Sequence, residues 1–438
     1  MNRKILNIAI PNIISNITIP LLGLVDLALM GHLQNEAFIG AIALGGMIFN
    51  FLYWGFGFLR MGTSGITAQA YGARNFKESV LTLTRAMMVA IGAGLLLIIF
   101  QKPIEWTSFF LLEGDKEIEE LAMGYFRIRI WAAPATIGLY AITGWFIGMQ
   151  NAKIPMLMAI VSNILNIILS YLFVYPLHMD AQGVALGTVV AQYCAFFMGI
   201  ILLYRYYRKL IKFWTPEKLF DLTSIKNFFL VNRDIFLRTL CIIFVFTFFT
   251  SQSASTSNTI LAVNSLLLQF LFIFSYLMDG FAYAAESLVG RYVGAQNIKL
   301  LNKTIRLLFY WGAGISILFS TTYYMAGEQI LSLLTNNIEI IESAQPYMKW
   351  VILMPILGFA SFIYDGVYIG ATASAYMRKT MMAATILVFI PVYIVLSPYI
   401  NNHGLWLAML SFLFSRGFFQ AIYYRKAILR LFTPQPIS

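Results

Sequence analysis

Two cysteines and three histidines in 438 residues leave almost nothing from which to build a disulfide framework or a metal centre. Cys194 and Cys241 both fall inside long apolar runs, where they read as small core residues. His32, His178 and His403 lie near the ends of such runs, with no metal-ligand spacing and no nucleophile–base pair around them, so an enzyme is excluded. Charge is equally scarce. Only 11% of the chain is charged, which rules out an ordinary soluble domain. Alternating segments of about ten residues, the mark of a transmembrane β-barrel, are missing too. After Met1-Asn-Arg3-Lys4 no small-residue cleavage site follows, so the first apolar run reads as an uncleaved span.

What the chain has is apolar length. Hydrophobic residues make up 60% of it, with a mean hydropathy of +0.76, and runs of about 20 residues recur, each able to cross a hydrocarbon core of roughly 30 Å. The runs predict twelve helices, at 6–32, 37–68, 79–100, 121–149, 155–176, 182–204, 234–256, 259–293, 302–326, 343–371, 379–398 and 402–424. The fold class is therefore an all-α polytopic membrane protein. The net charge of +11 does not point to nucleic acid, because the basic residues are scattered through short loops. Arg74, Lys77, Lys153, Arg205, Arg208, Lys209, Lys212, Arg291, Lys299, Lys303, Arg378, Lys379, Arg425, Lys426 and Arg430 fall on one side, and Glu113 to Glu120, Glu328, Glu339 and Glu342 on the other. By the positive-inside rule both termini are cytoplasmic, which makes this a multi-pass protein of the cytoplasmic (inner) membrane.

The longest cytoplasmic connection divides the chain nearly in half. It predicts a six-helix lobe at 1–204, a basic linker at 205–233, a second six-helix lobe at 234–424 and a cytoplasmic tail at 425–438. The halves are related: Gly72-Ala-Arg-Asn75 returns as Gly294-Ala-Gln-Asn297, 222 residues later. At the same offset Gly144-Trp-Phe-Ile-Gly148 matches Gly366-Val-Tyr-Ile-Gly370, and Tyr125 matches Tyr347. An offset of an even number of helices keeps orientation, so the twelve helices form two lobes related by a parallel pseudo-two-fold along the membrane normal.

One charge stands in a costly place. Asp26 lies within the first apolar run, in Pro20-Leu-Leu-Gly-Leu-Val-Asp26, where a carboxylate costs a few kcal/mol and persists because it faces a bundle interior or a wet path. Asn163, Asn166 and Ser170 share one face of the fifth helix at i, i+3 and i+7. Thr188 and Gln192 are one turn apart on the sixth, and Tyr125 is near the outer end of the fourth. Taken singly, these neutral groups read as interhelical hydrogen bonds of about 1 kcal/mol each. Clustered at the depth of an ionisable group whose burial favours protonation, they read as a proton-coupling site. Pro11 and Pro20 mark where the first helix bends.

These residues bring a resemblance into view. Leu22-Gly-Leu-Val-Asp26 with Gly31-His-Leu33, Gly72-Ala-Arg-Asn75, Gly144-Trp-Phe-Ile-Gly-Met-Gln-Asn151, Arg233-Asp-Ile-Phe-Leu-Arg238, Asp279-Gly-Phe-Ala-Tyr-Ala-Ala-Glu286 with Gly290, and Asp365-Gly-Val-Tyr-Ile-Gly-Ala-Thr372 together resemble the multidrug and toxic compound extrusion (MATE) family, in its DinF-like branch. The resemblance implies export of amphipathic or cationic drug-like compounds in exchange for protons or sodium ions, by a monomer in the bilayer with no cofactor. It puts the family's first-helix carboxylate on Asp26, its kinking proline on Pro11, and its supporting polar groups on Tyr125, Asn166 and Thr188. One position departs: where some members carry a second aspartate, this chain has Ser170.

In the second half, Asp234 and Arg238 at i and i+4 predict an ion pair at the entry of the seventh helix. Asp279, Glu286 and Asp365 are second-lobe candidates, either as cation ligands or, around Arg238, as a buried structural pair. Most Phe and Met residues read as lipid-facing, and Arg60, Arg127, Arg129 and Lys349 as snorkelling toward the interface. The alternative function is a flippase for a lipid-linked precursor. It shares the two-lobe architecture, but needs cationic residues in its cavity, and here the Lys and Arg are mostly in loops.

Overall fold

A computed structural model describes residues 1–31, 37–111, 115–219 and 221–432, without the side chains of 19, 22, 24, 26–31 and 111. Every regular element among these residues is helical. The long ones are α1 (Asn2–Gly31), α2 (Ala37–Gly72), α3 (Phe76–Ile99), α4 (Lys116–Gly148), α5 (Lys153–Val174), α6 (Asp180–Phe213), α7 (Leu222–Thr256), α8 (Asn258–Gly294), α9 (Ile298–Leu334), α10 (Ile338–Gly370), α11 (Ser374–Ile400) and α12 (Asn402–Phe432). Of these, the eleven from α2 to α12 are long and apolar enough to cross a membrane. The expected helices are all present, and several run further than expected. α7 begins at Leu222 rather than 234, because Asp221 accepts a hydrogen bond from the Ser224 amide (2.9 Å) and starts the helix within the basic linker. A short helix, Gln101–Leu111, fills the connection after α3.

Several of the long helices are not uniform. α2 is interrupted at Gly55–Phe56, where the Phe56 amide turns back to the Tyr53 carbonyl (2.9 Å). α4 contains a 3-10 turn at Ile130–Ala132, just ahead of Pro134. α11 widens to a π-helical stretch at Ala384–Phe389, the kind of local insertion that recurs at functional sites.

The chain packs as two compact units, residues 14–228 and residues 1–13 with 229–438. Lipid removes much of the hydrophobic force between helices, so close approach over small residues has to supply the packing. The two glycine-spaced motifs do this. A Cβ on Gly144 would run into the Arg60 carbonyl of α2, and one on Gly148 would lie 2.7 Å from the Ser64 carbonyl. In the other unit Gly366 meets the Ala282 carbonyl of α8 and Gly370 that of Glu286. Each contact pair is related by the same 222-residue offset, so the repeat seen in the sequence is a repeat of packing.

The offset also governs how helices end. Arg74, Gln150, Gln296 and Thr372 have left-handed backbones, with φ of 55°, 63°, 52° and 51°. In each case the following amide reaches back five residues: Asn75 to Ala70 (2.8 Å), Asn151 to Phe146, Asn297 to Tyr292 and Ala373 to Tyr368 (2.9 Å each). That pattern satisfies the orphan carbonyls of a helix C-terminus. The Asn75 and Asn297 side chains then cap the next helix, accepting from Glu78 and Leu300 amides at 3.1 and 3.0 Å. The Gly-Ala-x-Asn echo is thus a stop-and-restart signal used once per half.

Candidate functional site

In the unit of residues 14–228, the polar cluster forms between α5 and α6. Gly187 lets the helices touch, since a Cβ there would sit 2.8 Å from Ser170 Oγ. Asn166, 2% exposed, donates from Nδ2 to Thr188 Oγ1 at 2.9 Å, and Thr188 donates onward to the Val184 carbonyl at 2.9 Å. Asn163 reaches α1 itself, donating to the Thr18 carbonyl at 3.2 Å. Asn166 Oδ1 and Ser170 Oγ are buried and have no hydrogen-bond partner among the described residues. A buried acceptor and hydroxyl of this kind cost free energy unless a further group visits them. Gln192 is half-buried one turn past Thr188 and takes no part in these bonds. Asp26 lies on α1, but its side chain is outside the described residues.

Tyr125 is fully buried, and the structure gives it a defined partner: Arg129 donates from Nη1 to its hydroxyl. The Arg129 guanidinium lies 5.2 Å from the Phe49 ring centroid and 5.3 Å from that of Tyr125. Arg129 is therefore held by rings rather than reaching for the interface. Arg60, also expected to snorkel, is 8% exposed and buried. Arg127 does reach outward, pairing with Glu105 at 2.7 Å. Pro11 and Pro20 both lie within α1. Neither has an amide hydrogen to donate, so the helix loses its bonds to the carbonyls of Asn7 and Asn16.

In the other unit, the expected Asp234–Arg238 pair is replaced by two separate clusters. Asp234 binds Arg378 at 2.9 Å, Arg233 at 3.3 Å and the Ser374 hydroxyl at 3.2 Å, tying α7 to the start of α11. Arg238 points instead to Asp365, with which it forms an ion pair. The Asp365 carboxylate also accepts from Arg416 Nη2 at 2.6 Å and from Gln420 Nε2 at 2.8 Å. Arg238, Asp365 and Arg416 are 8%, 5% and 5% exposed, so the cluster is a buried ion triad with a surplus positive charge. Of the two sequence readings of Asp365, the buried structural pair is the one observed. Arg416 and Gln420 join from the last apolar run, where an arginine and a glutamine at i and i+4 are the sequence sign of such a buried cluster. Asp279 is half-buried on α8, and Glu286 is buried where α8 meets Gly370.

At the repeat-related positions the second unit is apolar. Asp26 corresponds to Phe248, Asn166 to Val388, Ser170 to Val392 and Thr188 to Leu410. Phe248 sits edge-on to Phe389 (5.6 Å between centroids) and Tyr393 (4.9 Å), so rings fill what is a polar cluster in the first half. This unit's polar centre lies elsewhere, at Asn264. That side chain exchanges bonds with Asn402 (2.8 and 3.0 Å) and accepts from Trp406 Nε1 (2.8 Å). Its amide also donates to Ser253 Oγ (2.7 Å). A cleft of about 560 Å³ runs along α7 and α8 beside it. Thr247, Thr250, Ser251, Ser265 and Gln269 line it, with no charged group, over Phe246 and Phe272, whose rings are 5.7 Å apart.

Comparison with known proteins agrees with this geometry. The MatE family model matches residues 11–172 and again 235–398, one match in each half. The chain is 36% identical over 429 residues to the DNA damage-inducible protein F of Escherichia coli (strain K12), covering 97% of this chain and 92% of that protein. It is 24% identical over 435 residues to the Arabidopsis thaliana protein DETOXIFICATION 44, chloroplastic, covering 94% and 80%. Among solved structures, a MATE crystal structure in the bent conformation superposes with a TM-score of 0.87 at 17% identity, covering 98% of this chain and 96% of that one. The Vibrio cholerae MATE transporter VcmN in the bent form gives 0.85 at 17% identity, with 98% and 97% covered.

Proposed function

The chain belongs to the MatE family of multidrug and toxin extrusion transporters, and we propose that it is a proton-coupled antiporter that exports amphipathic or cationic compounds, with Asp26 taking the proton. The observation that favours a proton is the state of Asp365, one of the three second-half carboxylates that could serve as cation ligands. A sodium ion needs anionic or carbonyl oxygens free to surround it, and both carboxylate oxygens of Asp365 already accept from Arg238, Arg416 and Gln420. A lone carboxylate, by contrast, suffices for a proton. In the first half the neutral Asn166 Oδ1 and Ser170 Oγ offer an acceptor and a hydroxyl that discriminate between a carboxylic acid and a carboxylate.

In this reading protonation neutralises Asp26 and lets α1 bend at Pro11 or Pro20, where the helix already lacks a bond. Asn163, bonded to the Thr18 carbonyl, couples that bend to α5. Substrate and proton compete, so each is carried only in the other's absence. The uncharged cleft along α7 and α8 supplies apolar and hydroxyl contacts to the exported compound. The protein works as a monomer in the cytoplasmic membrane with both termini inside, in keeping with its loop charges.

The test is efflux of a fluorescent cation from sodium-free proteoliposomes driven by a pH difference. Wild type should transport and Asp26→Asn, folded and inserted to the same level, should not. Transport by the variant at the wild-type rate overturns the assignment of Asp26, and transport driven by sodium without a pH difference overturns proton coupling.

A further inference from the structure

We propose that the start of the interdomain linker, residues 204–214, is a docking surface for anionic phospholipid headgroups of the cytoplasmic leaflet. Arg205, Arg208, Lys209 and Lys212 recur here at i, i+3, i+4 and i+7, and all four are exposed. No acidic residue occurs between Asp180 and Glu217, and no ion pair among the described residues engages any of the four. Apolar side chains stand exposed among them: Tyr204 at 62%, Tyr206 at 64%, Ile211 at 46% and Trp214 at 47%. Cations beside rings, directly after a membrane-spanning helix, are the composition that lies in a headgroup layer and holds anionic lipid.

The segment is a fixed ledge. Its other side chains dock on the first unit: Tyr207 packs edge-on to Trp145 (5.0 Å) and accepts from Asn151 Nδ2 (3.2 Å), and Phe213 lies 6.1 Å from Phe76. A few residues on, Arg85 holds the linker backbone, donating to the carbonyls of Leu219 (3.1 Å) and Lys218 (3.0 Å) while paired with Glu78 at 2.7 Å. With both ends pinned, the four cations are displayed together and little ordering remains to oppose binding. The placement in the cytoplasmic leaflet rests on the orientation proposed from the loop charges; the surface itself rests on its residues alone.

The experiment is native mass spectrometry of the purified full-length protein in micelles containing phosphatidylglycerol or phosphatidylcholine, reading lipid bound per molecule. Wild type should retain phosphatidylglycerol over phosphatidylcholine. Replacing Arg205, Arg208, Lys209 and Lys212 with Gln should weaken that binding by about a hundredfold or more, at the usual gain per basic residue near an anionic surface. Lys209→Gln with Lys212→Gln, two exposed side chains, should weaken it by about tenfold or more. The same number of charges removed elsewhere, as Lys299→Gln, Lys303→Gln, Arg425→Gln and Lys426→Gln, should leave it unchanged. Full retention by the double linker variant, or equal loss in the control, overturns the proposal.

Discussion

Removing the Asp365 carboxylate should unfold the second unit more readily than any other single change to a charge. In Asp365→Ala two guanidiniums, Arg238 and Arg416, 8% and 5% exposed, remain buried without a counter-ion. Breaking one buried pair in this way costs about 3–5 kcal/mol, because the remaining charge cannot reach water. For a cooperative unit of this size each kcal/mol lowers the melting temperature by about 2–4 °C, which gives a fall of about 6–20 °C. Thermal unfolding of the detergent-solubilised protein, followed by loss of its monomer peak in size-exclusion chromatography, reads this directly. Replacing the whole triad, as Arg238→Met, Asp365→Leu and Arg416→Leu, should restore most of the loss, since an apolar set of similar volume removes the desolvation penalty along with the attraction. Exchanging sodium for potassium at constant ionic strength should leave wild-type melting unmoved, whereas an ion bound to the native state at 100 times its Kd would add about 2.7 kcal/mol. Asp365→Ala melting within 2 °C of wild type refutes the reasoning about the triad, and a sodium-dependent rise refutes its use against sodium.

Gly366→Val should cost about 1–3 kcal/mol, because its side chain would enter the Ala282 carbonyl; folded yield and melting temperature measure it. Asn264→Leu should cost more than the loss of a single bond, as Asn402, Trp406 and Ser253 each lose a buried partner at about 1–3 kcal/mol apiece, and a melting temperature equal to wild type would contradict the hub. Arg85→Ala releases the Lys218 and Leu219 carbonyls and should speed tryptic cleavage of the linker several-fold, with no effect expected on the second unit's melting. The Ser224 amide holds the Asp221 carboxyl below the usual carboxylate range. The helix start it stabilises should therefore stay protected from amide exchange above the unfolded value of about 3.9 and open only as pH falls through the lower folded one.

The helices and the two-fold organisation were legible because membrane insertion writes both into composition. Apolar runs of fixed length and the Gly-Ala-x-Asn and glycine-spaced echoes all correspond to geometry found in the structure. The partners of buried charges were less legible. Arg238 lies one helical turn from Asp234, yet pairs with Asp365, 127 positions away, because burial leaves a guanidinium no solvent and tertiary proximity outweighs the gain of an i, i+4 pair. Tyr125 accepts a hydrogen bond from Arg129, one turn away on its own helix, a partner that spacing alone does not reveal because depth says nothing of direction around the helix. Asn264 is illegible in the sequence for a related reason. A single asparagine in an apolar run carries no pattern until the helices meeting it, with Ser253, Asn402 and Trp406, are known.

Proton release on substrate binding tests the central claim most directly. Purified protein in weakly buffered, sodium-free detergent solution, near the pH at which the coupling carboxylate is half protonated, is titrated with a transported cation while a pH dye is read. The account predicts that wild type releases up to one proton per substrate bound and that Asp26→Asn binds substrate without releasing any. Equal proton release from both proteins, or none from wild type at any pH between about 5 and 9, would contradict it.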